Sequence, residues 1–381
     1  AVIARMADAE LNLAAYGVAY AFALVAEAPI IMLMSAATAL VKGADSYRRL
    51  RSFTTLLVVM VTVGMAILLI PPVFDLLMET LIGLSSDITS RVYLALLVLL
   101  PWPGVIGWRR FYQGVLICNH QTRRVAVATV GRVLFMSLSA LLMFHYSGIQ
   151  GAVLGGIALS CGVVMEMLAT RLLASGAIAK TLGQEDQGPV QSIRELGYYY
   201  LPLAMTPFIT LGIHPVVTFF LGKGKMPLES LAVMPVIGAL TFVFRAVGLS
   251  FQEVAIALLG DNLQGWQKIR DFALLLAILL SGSLLLIALT PLADFWLMQV
   301  SGLSPMLANF SILPLQLMAL LPAMTVLTAF LRALLMGGHA TRPISTATAM
   351  EAVVIILVLT GLMLEGTLSG AVCAAIAYLI G

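Results

Sequence analysis

The sequence predicts an all-α polytopic membrane protein built from two copies of one six-helix lobe. Three observations carry this. The 381-residue chain is 61% hydrophobic and only 10% charged, with mean hydropathy +1.04. Soluble domains hold roughly 45–50% apolar and about 25% charged residues, so water is not the main solvent here. Apolar runs of about 20 residues recur, each enough to cross a hydrocarbon core of roughly 30 Å. They lack the alternation of barrel strands, so their backbone groups must be satisfied within helices. Finally, residues 10–178 and 229–381 are one design written twice, at a constant offset of 219 with no gap. Arg51 and Phe53 return as Arg270 and Phe272 (270 − 51 = 219), and Pro72 and Asp75 as Pro291 and Asp294. Gly83-Leu84-Ser85 returns as Gly302-Leu303-Ser304, and Gly151-Ala152-Val153 as Gly370-Ala371-Val372. His120-x-Thr122-Arg123 returns as His339-x-Thr341-Arg342, and Glu10 and Glu229 fall into register. A duplicated membrane domain is the signature of transporters, with the substrate site between the repeats.

Eleven membrane segments follow from the apolar runs. The first lobe supplies 10–41, 52–72, 90–118, 124–146 and 150–178. The second supplies 194–221, 229–259, 271–290, 307–336, 343–364 and 366–381. Lys42-Gly43-Ala44-Asp45 punctuates the first boundary, the polar stretch Gly183–Ser192 separates the lobes, and Gly337-Gly338 precedes His339. The expected organisation is an N-terminal lobe over 1–182, a linker over 183–192 and a C-terminal lobe over 193–381. Projected by the same offset, the helix at Ile193 would have a partner beginning at 193 − 219 = −26. One helix of about 27 residues is therefore expected ahead of Ala1. Roughly 17 residues are expected after Gly381, because Ala179 projects to 398. The intact bundle would then hold twelve helices, lacking here the first and the end of the last.

Charge asymmetry sets orientation. One side collects Lys42, Arg48, Arg49, Arg51, Arg123, Arg124, Lys180, Arg194, Lys268, Arg270 and Arg342. The other holds Arg5, Arg91, Lys223 and Lys225 among more numerous acids. The basic side, the linker and both termini of the intact protein are expected in the cytoplasm, and the membrane is expected to be a bacterial inner membrane. Even helix numbers give both lobes one topology, related by an axis along the membrane normal. Cys118, Cys161 and Cys373 lie in or beside apolar runs and read as small packing residues. The net charge of +3 argues for no nucleic-acid partner. The expected partners are lipid and a small-molecule substrate, the expected state a monomer, and no cofactor or metal is called for beyond a coupling H⁺ or Na⁺.

Several stretches resemble the progressive ankylosis protein family, a branch of the superfamily of multidrug and toxin extrusion (MATE) transporters, polysaccharide exporters and lipid flippases. They are Leu13-Ala14-Ala15-Tyr16-Gly17-Val18-Ala19-Tyr20, Tyr200-Leu201-Pro202-Leu203-Ala204 and His214-Pro215-Val216-Val217-Thr218-Phe219-Phe220. The resemblance implies a MATE-like twelve-helix bundle with a cleft lined by the first two helices of each lobe. Ankylosis-type members are associated with export of small polyanions such as pyrophosphate, nucleotides or citrate. MATE members exchange organic cations for protons or sodium, and the acidic coupling residue many of them use lies on the first helix, ahead of this sequence.

Charges at membrane depth cost roughly 2.5–3.5 kcal/mol on insertion scales and therefore mark a cavity or a partner. Glu27 and Arg245 fall at one depth on helices that resemble facing cleft walls, since 245 − 219 = 26. They read either as a gate and anion site or as a static pair that fixes packing. Gln252 and Glu253 share a helical face with Arg245, where Glu253 could also snorkel. Arg132 and Glu351 are equivalent positions (351 − 132 = 219), and with Glu166 and Arg171 they are expected to form charge contacts inside the lobes. His214 stands in a segment interrupted by Pro202 and Pro207 and could titrate in a proton cycle, or simply pack. Arg109, Arg110 and Arg332 are placed toward cytoplasmic helix ends, attracting an anion or snorkelling.

No Walker loop, His-Glu-x-x-His, Gly-x-Ser-x-Gly or paired-carboxylate constellation occurs, so no enzyme is predicted. The leading expectation is a secondary exporter working by alternating access on a small anionic metabolite. A MATE-type drug antiporter coupled to H⁺ or Na⁺ is the alternative. A lipid-linked oligosaccharide flippase stands third, and a membrane-embedded transferase would need an acidic cluster that Asp261 and Asp271 do not make.

Overall fold

A computed structural model describes residues 6, 8–81, 86–146, 148–186, 190–259 and 265–381, apart from a few side chains inside helices. It divides into two compact units, Ala1–Ala204 and Met205–Gly381. Among the described residues ten helical spans are long and apolar enough to cross a membrane, followed by a shorter apolar helix at Gly370–Ile380. Val127, Val130, Leu134, Leu138 and Leu141 all lie exposed on a single helix. In water such a face would drive aggregation; in a bilayer it is the surface lipid covers. The chain is an integral membrane protein.

In the N-terminal unit the first segment is not one helix. α1 (Ala9–Glu27) ends in a 3₁₀ turn at Ala28–Ile30, and α2 (Leu33–Leu40) completes the span. Pro29 has no N–H for the helix ladder, which explains the interruption. The Tyr200 hydroxyl donates to the Pro29 carbonyl at 2.6 Å. α3 (Ala44–Leu68) and α4 (Pro71–Asp75) follow, the latter running into a π-helical turn at Leu76–Leu81. The next span is also broken, into α5 (Ser86–Leu99) and α6 (Trp102–Cys118), around Pro101 and Pro103. α7 (Thr122–Tyr146), α8 (Gly151–Leu173) and α9 (Ser175–Leu182) complete the lobe. α2 and α6 cross closely at Gly114. A Cβ there would fall 2.5 Å from Ala37 Cβ and 2.6 Å from the Met34 carbonyl.

The polar stretch after α9 caps α3. Asp186 Oδ2 accepts the backbone N–H groups of Asp45 at 2.7 Å and Ser46 at 3.1 Å. The Gln184 carbonyl accepts the N–H of Ala44 at 3.0 Å. These are donors that a helix start leaves unmatched. Gly43 permits the approach, since a Cβ on it would lie 2.7 Å from the Asp186 nitrogen. Burial alone would raise the Asp186 pKa, but the hydrogen bonds from Ser46 and the two backbone amides hold it below the ordinary carboxylate value.

The C-terminal unit takes in most of α10 (Ile193–Lys223), then α11 (Pro227–Leu259), α12 (Trp266–Leu289) and α13 (Leu292–Asp294). A π-helical turn at Phe295–Val300 precedes α14 (Pro305–Met318), α15 (Leu321–Gly337), α16 (Arg342–Glu365) and α17 (Gly370–Ile380). Its core joins Val233, Ile237 and Leu240 to Leu284, Leu297, Leu315 and Ala371. One expectation is corrected here. α10 is continuous through Pro202 and Pro207, although interruption was expected. An apolar helix in lipid keeps its ladder on both sides of a proline, because leaving the helix would expose more backbone than the one lost bond.

The 219-residue offset is imprinted on the backbone. The π-helical turns match end to end (295 − 76 = 219, 300 − 81 = 219). So do α5 with α14 and α6 with α15, for 305 − 86, 318 − 99, 321 − 102 and 337 − 118 all equal 219. His120 and His339 both adopt φ 58°, the left-handed conformation. Each His N–H returns to a carbonyl of the helix before it, Ile117 at 2.8 Å and Met336 at 3.1 Å, so both close a helix C-terminus.

Candidate functional site

The broken spans α5–α6 and α14–α15 are where the polar chemistry gathers. In the C-terminal unit α12 repairs the break: Ser281 Oγ accepts the Ala323 N–H at 2.9 Å and donates to the Leu320 carbonyl at 3.4 Å. Backbone freed at membrane depth is tolerated where another element satisfies it. The sequence carried a signal for the break, since Pro103 and Pro322 sit at the 219 offset in the middle of long apolar runs.

In the N-terminal unit Glu27 closes α1 and is 7% exposed. Its Oε2 accepts the Trp102 indole N–H at 3.2 Å. Trp102 is the first residue of α6. The Tyr20 ring packs edge-on to Trp102 with centroids 6.4 Å apart, and Tyr16 stacks on Tyr20 at 6.0 Å. A carboxylate bordered by aromatic rings results.

Deeper in the same unit lies Glu166, wholly buried on α8. Its Oε2 pairs with Arg109 Nη1 at 2.6 Å and with Arg132 Nε at 3.3 Å. Its Oε1 accepts from Gln113 at 3.2 Å and from Thr129 at 2.8 Å. The expected contact between Arg132 and Glu166 is present, and two corrections accompany it. Arg109, expected at the cytoplasmic mouth, is buried on Glu166, because it sits mid-helix where a bare cation could not reach water. Arg171, expected in the same network, instead lies over the Tyr112 ring at 5.4 Å. Arg110 is half-buried in α6 with Nη1 3.9 Å from Met34 Sδ.

In the C-terminal unit Arg245 lies inside α11 and donates its Nε–H to Thr325 Oγ1 at 2.9 Å. Arg332 donates to Thr348 Oγ1 at 3.1 Å. Glu351 interacts electrostatically with both arginines, and Tyr378 with Arg245. Arg332 is thus tied to α16. Gln252 and Glu253 are buried on α11. The side chain of His214 lies outside the described residues. Glu27 and Arg245 belong to different units, and each has a polar partner within its own. Among the described residues no cluster of three His, Cys, Asp or Glu side chains could hold a metal ion.

The sequence matches no family description and no curated protein. Solved structures do match in fold. A MOP superfamily transporter from Pyrococcus furiosus aligns with TM-score 0.72 at 14% identity, over 98% of this chain and 86% of that one. The Vibrio cholerae MATE transporter VcmN in its bent form aligns with TM-score 0.70 at 17% identity, over 97% and 85%. A multidrug resistance MATE family transporter in the outward-facing conformation aligns with TM-score 0.70 at 15% identity, over 100% and 88%. The fold is that of MATE and MOP superfamily transporters.

Proposed function

We propose that the chain is a secondary active transporter working by alternating access, and that it moves a small anionic metabolite of the phosphate or polycarboxylate class. One observation carries the choice of anion. Arg245, within a 33-residue apolar helix, is held by a neutral threonine hydroxyl. Among the described residues no carboxylate lies within 4.0 Å of it (compare the pairs Arg109–Glu166 and Arg132–Glu166). A half-buried guanidinium at membrane depth without a contacting anion is a standing demand for one, and its fork matches carboxylate and phosphate oxygens. The duplicated lobes and the shared fold support the transporter class. The asymmetry of Lys and Arg supports cytoplasmic termini in a bacterial inner membrane.

A second reading is cation antiport coupled to H⁺ or Na⁺, favoured by Glu27 beside Trp102, Tyr20 and Tyr16. Rings and a carboxylate together suit an organic cation, and one solved relative is described as a multidrug MATE transporter. Purified protein in proteoliposomes separates the two. Pyrophosphate, citrate and ATP are compared with ethidium under separately imposed pH and sodium gradients. Anion flux lost in Arg245→Ala but kept in Glu27→Gln supports the first reading. Cation flux with the reverse pattern replaces it with the second.

A further inference from the structure

Each unit carries a set of two arginines and one glutamate, but only the N-terminal unit has joined its set into ion pairs. In the N-terminal unit Glu166 is saturated by Arg109, Arg132, Gln113 and Thr129, with distances from 2.6 to 3.3 Å. Its side chain is 0% exposed. Nothing further fits on that carboxylate, so the cluster is a closed clamp.

The offset then shows what changed in the second copy. Thr348 repeats Thr129 (348 − 129 = 219), Arg332 stands where the first copy has Gln113 (332 − 113 = 219), and Glu351 replaces Arg132. The carboxylate of the second copy therefore stands on α16, the counterpart of the α7 helix that carries Arg132. Thr325 and Arg332 lie two turns apart on one face of α15 and Thr348 and Glu351 one turn apart on α16. Thr325 Oγ1 donates to the Leu321 carbonyl at 2.8 Å, and Thr348 Oγ1 to the Ile344 carbonyl at 3.0 Å. Each hydroxyl has thus given its proton to its own helix and offers only lone pairs, which fixes one N–H of each guanidinium. Glu351 feels both cations, yet among the described residues no arginine nitrogen comes within the 4.0 Å of an ion pair. Two fixed cations around one carboxylate that contacts neither leave an excess positive charge, with the remaining donors of both forks uncommitted to any acid.

Resting on the anion reading above, we propose that Arg245 and Arg332 form a two-cation subsite inside the C-terminal unit for a phosphate or dicarboxylate group. Glu351 is the internal counter-ion that the ligand supplants. The Thr325 and Thr348 hydroxyls aim the two forks.

Calorimetric titration of the full chain in detergent with pyrophosphate, and separately with citrate, tests this. Arg332→Gln, which installs the residue of the first copy, should weaken binding at least about tenfold, the cost of one charge-assisted bond. Glu351→Gln should tighten it about threefold or more by removing the internal competitor, an outcome a merely structural glutamate would not give. Arg171→Gln, a substitution in the N-terminal unit, should bind like wild type. Size-exclusion profiles and melting curves confirm that each variant is folded; if Arg332→Gln is not, Arg332→Lys, which keeps the charge but loses the fork, should bind measurably more weakly. If Arg245→Ala abolishes binding while the Arg332 and Glu351 variants match wild type, the subsite is overturned and the anion reading stands. If neither probe binds saturably to wild type and ethidium does, the anion reading fails and takes the subsite with it.

Discussion

Neutralising Glu166 is the sharpest test of the structural role assigned to the N-terminal cluster. Its side chain is 0% exposed, and that of Arg109, 2.6 Å away, is 8% exposed. Glu166→Gln keeps the shape and the hydrogen bonds from Gln113 and Thr129 but leaves Arg109 as a buried, uncompensated cation. Breaking one partner of a buried pair costs about 3–5 kcal/mol. Arg132 adds little, because its side chain is 31% exposed and partly screened. For a unit of this size each kcal/mol moves the midpoint about 2–4 °C, so the drop should be roughly 6–20 °C. The assay is thermal unfolding in one detergent, read by tryptophan fluorescence and by the folded peak remaining after heating. The double variant Glu166→Gln/Arg109→Met removes cation and carboxylate together and should recover more than half of the loss. Transport by Glu166→Gln at a permissive temperature should persist. A single variant within about 1 °C of wild type, or a double variant worse than the single, would refute the clamp.

Asp186 caps α3 from the polar stretch after α9, so Asp186→Ala should cost about 0.5–2 kcal/mol and speed amide exchange at residues 44–47. Its folded pKa is depressed, so the cap contributes fully above the unfolded value near 4 and is lost as pH falls through the lower folded value. The difference in exchange between wild type and Asp186→Ala should therefore vanish in strong acid and be greatest at neutral pH. His120 occupies a left-handed position at φ 58° that closes α6. There His120→Gly should raise the melting midpoint and His120→Val should lower it, since a β-branched side chain is strained where glycine is not. Gly114→Val would drive side-chain atoms into Ala37 and the Met34 carbonyl, contacts of 2.5 and 2.6 Å already for a Cβ. It should lower stability by about 1–3 kcal/mol, or abolish the monodisperse peak on size exclusion.

What the sequence by itself determined is the part written in periodicity and composition. Apolar runs of membrane length fixed the helices and their order, because lipid permits few other backbones. The offset of 219 fixed the duplication, and it survives in the paired π-helical turns and in the two left-handed histidines. Charge position named most of the polar residues, since an acid or base at membrane depth must be accounted for. Partners were another matter. Arg109 looked like a snorkelling cation and Glu351 like a lobe-internal contact of unknown direction, because a one-dimensional pattern gives the depth of a charge but not the helix it faces. Only the tertiary packing decided that Arg109, Gln113 and Thr129 converge on Glu166, that Glu27 meets the first residue of α6, and that Thr325 and Thr348 hold Arg245 and Arg332 short of Glu351. The physical reason is the length scale. Hydrophobic burial acts over whole helix faces and is legible as a repeat, whereas an ion pair is won or lost over an ångström or two between side chains far apart in the chain.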